Sequence, residues 1–399
     1  LKEKRKKGRV WKVIGLVLGA ILVTLTIIVF VQVDFSNPKE LDKLVEAKME
    51  KSGMAGASIA LIKNNKLTRI INYGDADSAS NKPVTDDTIF QIASVSKTVT
   101  ATAVMQLAEK GSLKLDDDIN RYLPFRVVHP KFPDTPITFR MLLAHTSGID
   151  NNWDVYGSMY TLHESGGDSP VSLHTFLSGF LVPGGQWYDE EKNYTKNQPG
   201  TAFVYSNIGY GLLGYLVEEI SDMPFPAFTQ KHIFEPLGMT STAWLHADVK
   251  DKSRFAIQYD TKNKPLATYS FPTYPDGTLK TTTADYAKFL LAMMNGGRGE
   301  QGSILTPATV AEMFKPQADD GNQGLCWSYA ILDSLYLGGA AQGKTLGHSG
   351  SDPGVMTVTA FNPDTKSGII IFFNQELELN LRALNLHAMV KRLIKETGM

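Results

Sequence analysis

The sequence predicts an α/β (α+β) fold: an antiparallel sheet flanked by helices, with a mostly helical lobe inserted between its halves and one N-terminal transmembrane helix. Three observations predict it. Strand-like runs gather at the two ends, GASIALI and LTRIINYG early in the chain, GVMTVTAFN and GIIIFFN late. Residues 112 to 330 between them read mostly as helical pieces and long loops. A charge-free run of 19 residues, Val13 to Val31, follows a basic flank at the N-terminus. Sheet from both ends and helices in the middle make one layered architecture the simplest solution. The expected division is a cytoplasmic basic flank over 1–12, an anchor over 13–33, a linker over 34–38 and a folded domain over 39–399. Within that domain, 39–90 and 330–399 supply the sheet and 91–329 the helical lobe.

The elements follow in order. Lys2, Lys4, Arg5, Lys6, Lys7, Arg9 and Lys12 face a single acid, Glu3. The apolar run behind them spans about 28 Å as a helix, roughly the hydrocarbon thickness of a bilayer. A cleaved signal peptide is the rival, but its apolar region is shorter and no small-x-small site follows Val31. The basic flank then stays in the cytoplasm and the chain from about residue 34 lies outside, as a single-pass protein of the cell membrane. Residues 39–53 form a helix with Leu41, Leu44, Val45 and Met49 on one face and Gly53 as its stop. Lys63-Asn64-Asn65-Lys66 joins two strands as a hairpin. SNIGYGLLGYLVEEISD reads as a helix, and so does TTTADYAKFLLAMMNGG, with a threonine cap and a double-glycine stop. NPDTKSG turns between the two late strands, and an amphipathic helix over 377–396 closes the chain.

Composition narrows the function classes. With 399 residues, 43% of them apolar, the chain can bury a large core without staples. A net charge of −1 gives no electrostatic footprint for nucleic acid. The single cysteine, Cys326, excludes an internal disulfide framework and a multi-cysteine metal site.

The chemistry begins in FQIASVSKTVTATAVMQLAEKG, which reads as a helix opening at a serine. Ser94 and Lys97 stand at i and i+3, on one face. A serine hydroxyl needs a base, and a lysine serves if desolvation lowers its pKa; Ala, Val and Thr neighbours suit that. The free N–H groups of a helix start suit a developing oxyanion. A bare Ser-x-x-Lys is weak, because Ser36-Asn37-Pro38-Lys39 has the same spacing; Pro38 makes that copy extended. Two further motifs strengthen the first: Tyr205-Ser206-Asn207 just before a helix, and His348-Ser349-Gly350 just before two strands.

With these three motifs in this order, the chain resembles the serine β-lactamase and penicillin-binding-protein superfamily, in the branch of class C β-lactamases, D-peptidases and esterases. The likeness runs over about 40–399 and includes LLAHTSGI, FEPLGMTST and YPDGTLKTTTADYAKFL. It implies Ser94 as the acylated nucleophile, Lys97 as the partner that takes its proton and Tyr205 as a phenolate base beside that lysine. It implies Asn207 as a holder of the substrate carbonyl or of Lys97. The backbone N–H groups of Ser94 and Ser351 form the oxyanion hole, and His348, Ser349 and Gly350 border the substrate. Gly350 is expected to let the substrate backbone lie close to the strand. Two literal Lys-Ser-Gly triplets, Lys51-Ser52-Gly53 and Lys366-Ser367-Gly368, fall in the wrong places, the first before the nucleophile and the second in a hairpin turn.

His348 departs from the lysine of penicillin-binding proteins. An unperturbed histidine is mostly neutral at pH 7, so a fixed cation for a substrate carboxylate is absent. This tilts the expectation toward ester, amide or D-amino-acid-containing peptide substrates, with β-lactams still in range. His145 reads as structural, His163-Glu164 as half a zinc motif without its second histidine, and Cys326 as packing. Trp153, Tyr156, Tyr160, Trp187, Tyr188 and Tyr194 are read as an aromatic rim to the cleft, or else as the core of a surface lobe. No metal or organic cofactor is implied. The expected partners are a small-molecule or peptide substrate, cell-wall-derived peptides among the candidates, and the lipid bilayer through the N-terminal helix. The resulting expectation is a membrane-anchored extracytoplasmic serine hydrolase working through an acyl-enzyme. The alternative is a penicillin receptor that is acylated without turnover.

Overall fold

The computed structural model describes residues 24, 29, 31–164, 166–317, 322–335, 337, 339–341, 343–378 and 380–399. The chain divides into two compact units: Leu1–Met54 with Leu377–Arg392, and Ala55–Glu376 with Leu393–Met399.

In the first unit, helix α1 (Leu41–Ser52) buries Leu41, Leu44, Val45 and Met49 and ends on Gly53 at φ 73°. The left-handed turn there suits a glycine, which has no Cβ to clash. Lys48 pairs with Asp34 at 3.1 Å, and the Asp34 amide donates to Asn385 Oδ1 at 2.8 Å. Residues 32–36 are thereby tied to the rest of this unit rather than strung out.

The second unit carries the sheet. β1 (Gly56–Lys63), β2 (Lys66–Asp77) and β3 (Lys82–Pro83) come from one end of the chain. β4 (Leu346–Asp352), β5 (Val355–Asn362) and β6 (Ser367–Phe373) come from the other. They assemble in the order β4–β5–β6–β1–β2–β3, every neighbour antiparallel. The β1–β2 turn uses Asn64 and Asn65 at φ 51° and 60°, the pair of positive angles a tight hairpin needs. The two ends meet where Ala57 to Ile62 face Phe373 to Gly368. Ala, Ile, Leu and Phe runs that are buried along almost their whole length make this the central pair.

Between the two sheet halves lie the helices that shape the site. α2 (Lys97–Glu109) is buried almost all round, and its threonines are satisfied internally: Thr100 Oγ1 donates to Pro275 O at 2.6 Å and Thr102 Oγ1 to Thr98 O at 2.8 Å. Leaving such a hydroxyl unpaired costs about 1–3 kcal/mol. α3 (Asn207–Ser221) is capped by Ser206, whose hydroxyl accepts from Gly209 N. It packs on the turn Tyr274–Asp276 through two glycines: a Cβ on Gly211 would fall 2.7 Å from Thr273 Cβ, and one on Gly214 2.4 Å from Pro275 Cγ. α4 (Thr283–Met294) starts on its Thr282 cap and lies against β1, β2 and β6, with Tyr286 edge-on to Phe372 at 5.7 Å. The last helix, α5 (Ala383–Thr397), begins six residues later than its hydrophobic pattern suggests, after an Asn380 side chain takes the Arg382 amide and turns the chain.

The expected membrane anchor is corrected here. Among the described residues no helix is long and apolar enough to cross a membrane. The longest, α3 and α5, have 15 residues each. That is about 22 Å of rise against the roughly 30 Å a crossing requires. The run over 13–33 lies outside the described residues, apart from 24, 29 and 31–33. The transmembrane helix, the single-pass topology, the extracytoplasmic placement and the bilayer as a partner therefore leave the functional reading.

Candidate active site

Ser94 lies in a 3₁₀ turn, Ala93–Ser96, that feeds directly into α2. The helix proper starts only at Lys97, because Ala93 sits at φ 46°, a left-handed angle that costs a non-glycine residue about 1–2 kcal/mol. Packing offsets that strain: Ala93 is fully buried with Tyr269, Phe271 and Val355. Ties from both sheet and loop fix the turn. Thr357 Oγ1 donates to Ile92 O at 2.8 Å, and the Leu279 amide donates to Ser96 Oγ at 3.1 Å. Gly350 of β4 faces this turn, and a Cβ there would fall 2.7 Å from Ile92 O and 2.8 Å from Ser94 N. The space beside Gly350 is thus filled by the backbone of the Ser94 turn, which a side chain there would displace.

One helical turn brings Lys97 Nζ within 3.0 Å of Ser94 Oγ, to which it donates. The same ammonium donates to Asp276 O at 2.7 Å and lies 3.5 Å from Asp276 Oδ1. It sits 5.1 Å from the Tyr205 ring centre and 5.7 Å from that of Tyr210. The Tyr205 side chain stands beside Ser94 and Lys97, close enough for each to act on its ionisation. Burial alone pulls the Lys97 pKa down, but Tyr205 and Asp276 outweigh it, and the net direction is upward. The sequence expectation of a lysine made basic by desolvation is reversed, first by Tyr205 and then by a carboxylate, Asp276, that it did not include. Burial raises the Tyr205 phenol; the Lys97 charge and the neighbouring Ser94 hydroxyl oppose it without overcoming it.

Asn207 opens α3, and its amide donates to Asn151 Oδ1 at 2.7 Å, while Asn151 Nδ2 donates to Tyr205 O at 3.0 Å. Asn207 Oδ1 is buried with no partner, an acceptor left open beside the site. On β4, His348 Nδ1 lies 2.7 Å from Ser349 O. A carbonyl only accepts, so Nδ1 carries the proton and Nε2 is the lone-pair nitrogen. Burial, then the Lys97 charge, push the His348 pKa down to about 4, and the ring is neutral at pH 7. Ser94, Tyr205, His348, Ser349 and Ser351 line one cavity of about 340 Å³, shared with His145, Phe203 and Cys326. Lys97, Asn207 and Gly350 do not line it.

The sequence missed the opposite flank of Ser94. Asp276 accepts from Tyr156 Oη at 3.1 and 3.2 Å, and Asp352 accepts from Tyr160 Oη at 2.6 Å and Tyr269 Oη at 3.0 Å. Burial raises both carboxyls, Asp352 to about 7. Strand alternation was a usable signal for Asp352, two residues past Gly350 and so on its face. No spacing rule ties Asp276 to a lysine 179 residues away. His145 keeps a structural contact, since its Nδ1 accepts from the Ser206 amide at 3.0 Å and holds the Tyr205 loop. Burial raises the Cys326 thiol to about 12, so it stays protonated. His163 Nε2 pairs with Ser270 Oγ at 2.9 Å. The expected aromatic rim splits. Tyr156 and Tyr160 flank the site, whereas Trp187 packs on Phe176 at 5.4 Å and Tyr194 on His129 at 5.3 Å in the lobe's own core.

Comparisons with known proteins place this geometry. The sequence pattern of the family described as Beta-lactamase matches residues 41–392. Penicillin-binding protein 4* of Bacillus subtilis (strain 168) is 25% identical over 85% of this chain and 72% of its own length. Protein flp of Staphylococcus aureus (strain N315) is 26% identical over 65% of this chain, which spans only 49% of that relative. A solved class C β-lactamase superposes with a TM-score of 0.68 at 23% identity, covering 88% of this chain and 94% of that one.

Proposed function

The chain belongs to the β-lactamase family and is a serine hydrolase, and from that premise we propose that Ser94 is its nucleophile and that it works through an acyl-enzyme on esters, amides or D-amino-acid-containing peptides. The observation that carries this is the contact of Lys97 Nζ with Ser94 Oγ at 3.0 Å, with the Tyr205 ring 5.1 Å from the same ammonium and lining the cavity of Ser94. In the first step Tyr205, as phenolate, takes the Ser94 proton as Oγ bonds to the carbonyl carbon. Lys97 stays an ammonium and stabilises the negative charge that appears on either oxygen. The backbone N–H groups of Ser94 and Ser351 receive the oxyanion. The carbon–leaving-group bond then breaks, and Tyr205 returns the proton to the leaving group. In the second step water repeats the sequence on the acyl carbon and frees Ser94.

The neutral His348 supports the substrate class. At pH 7 that corner of the cavity offers a lone pair and no fixed cation, so a free carboxylate gains nothing there. β-Lactams stay within the test because one relative is named a penicillin-binding protein and the fold neighbour is a β-lactamase.

The experiment is intact mass against time, with a penicillin and separately with a small activated ester, and Ser94→Ala as control. A Ser94-dependent adduct that decays while product accumulates is the expected result. An adduct that persists means a receptor acylated without turnover. No adduct with either reagent sinks the mechanism for these substrates.

A further inference from the structure

The side chain of Asp276 has no part in the reaction as described so far, yet it is the carboxylate nearest to Lys97. Its Oδ1 lies 3.5 Å from Lys97 Nζ, and the two side chains are 2% and 0% exposed. At that distance the contact is one of charge more than of hydrogen bonding. The backbone carbonyl of the same residue already solvates the ammonium at 2.7 Å, so the carboxylate adds charge and little else. Its place is built by the fold. Pro275 is seated in the notch left by Gly214 of α3, Thr100 Oγ1 of α2 binds the Pro275 carbonyl, and Tyr156 Oη donates to both carboxylate oxygens.

The other groups facing Lys97 do not supply this charge. Tyr205 acts on Lys97 most strongly, but as a charge only when it is a phenolate, and burial holds its phenol above the usual range; Tyr210 approaches with its ring, His145 and His348 are held neutral by burial, and Cys326 remains a thiol. Asp352 acts on Lys97 from farther off and is occupied by Tyr160 and Tyr269. Among the described residues, Asp276 is the one carboxylate within ion-pair distance of Lys97.

We propose that Asp276 is a positioning residue: its carboxylate keeps Lys97 an ammonium and so assigns the proton-accepting step at Ser94 to Tyr205. This rests on the acyl-enzyme reading above. With the charge removed, Lys97 sits desolvated and uncompensated. It then loses its proton more readily and competes with Tyr205 as base.

The test uses the full chain with ¹³C-labelled lysine. The Lys97 Cε resonance, assigned by its loss in Lys97→Met, is followed against pH in the wild type and in Asp276→Asn, which keeps shape, carbonyl and an acceptor for Tyr156. The expected result is a Lys97 titration at least about one pH unit lower in the variant, a difference on the scale of one nearby charge. Asp276→Glu should restore it, and Asp276→Ser replaces the asparagine variant if that fails to fold. The cost of Tyr205→Phe in the rate of Ser94 acylation should be at least about ten-fold smaller in the Asp276→Asn background. An unmoved Lys97 titration overturns the proposal. A moved titration with equal Tyr205→Phe costs overturns the assignment of the base. A moved titration with no Ser94 adduct in the wild type supports the charge role and overturns the acyl-enzyme reading instead.

Discussion

The two flanks of Ser94 are built from opposite chemistry and treated alike by burial. On one side stand His145 and His348, on the other Asp276 and Asp352 with their tyrosine donors. Burial pushes both histidines down and both carboxyls up, so on each flank it favours the neutral form. Only where the flanks meet, at Lys97 and Asp276, do two charges lie close enough to hold each other. The lesson is that titratable residues around a nucleophile are not charges by default. Desolvation neutralises them, and a charge survives where a partner of opposite sign sits within a few ångströms.

The largest expected effect is at the centre the flanks share. Tyr205→Phe should lower kcat/KM by about 10²–10⁴-fold, the range for losing a general base. In the wild type, kcat/KM should climb steadily with pH from about 6 to 9, because the phenol's pKa stands above its usual value of about 10. A plateau near pH 7 would mean that some other group accepts the proton.

Next comes a swap of character on the histidine flank. His348→Lys installs a cation, and substrates with a free carboxylate should gain about ten-fold in KM, one charged hydrogen bond's worth. Neutral esters should change little. If both classes respond equally, His348 shapes the cavity and does not select charge.

A smaller effect separates cleft from lobe. Trp187→Ala should cost on the order of 2–3 kcal/mol in a denaturant titration, through lost packing on Phe176. It should leave the ranking of ester, amide and β-lactam substrates unchanged, since Trp187 belongs to the lobe core. A reordered ranking would return it to the rim.

The smallest effect tests the opposite signs directly. Asp352 binds its proton more tightly folded than unfolded, so its contribution to stability is present below about pH 4 and is lost as pH rises toward about 7. His348 binds its proton less tightly folded, so its contribution appears as pH rises from about 4 to 6.5. Each amounts to roughly 2–4 kcal/mol as an upper limit, and the two partly cancel. Asp352→Asn should therefore make Tm rise more steeply over this window, and His348→Gln should flatten or reverse the rise. Equal slopes in both variants would mean that these two groups do not titrate as burial dictates.

Much of the scaffold was legible in the chain because its signals are local. Asn64-Asn65 specified a hairpin, Gly53 a helix end and a threonine the cap of α4, each acting on its own few residues. Ser94 and Lys97 could be placed on one face because three residues of helical turn suffice. The charge-free run near the N-terminus was equally local and misled: it implied a bilayer crossing, while none of the described helices has the length for one. Asp276 was overlooked because Pro-Asp-Gly reads as any turn, and its meaning comes from Lys97. The packing of the Ser94 turn against Gly350 was equally hidden, since nothing in the glycine's own strand shows that the turn lies there.

The sequence by itself determined the order of the elements, the residue types around Ser94 and the three motifs that mark the family. Only the tertiary structure decided which way each of those residues is pushed: Lys97 up by its neighbours, His348 down by burial, and Asp352 up by burial to about 7. The reason is physical. A helix cap or a turn is settled by bonds within a few residues. A pKa depends on how much water is excluded and on which distant charges are brought near, and neither exists until the chain is packed.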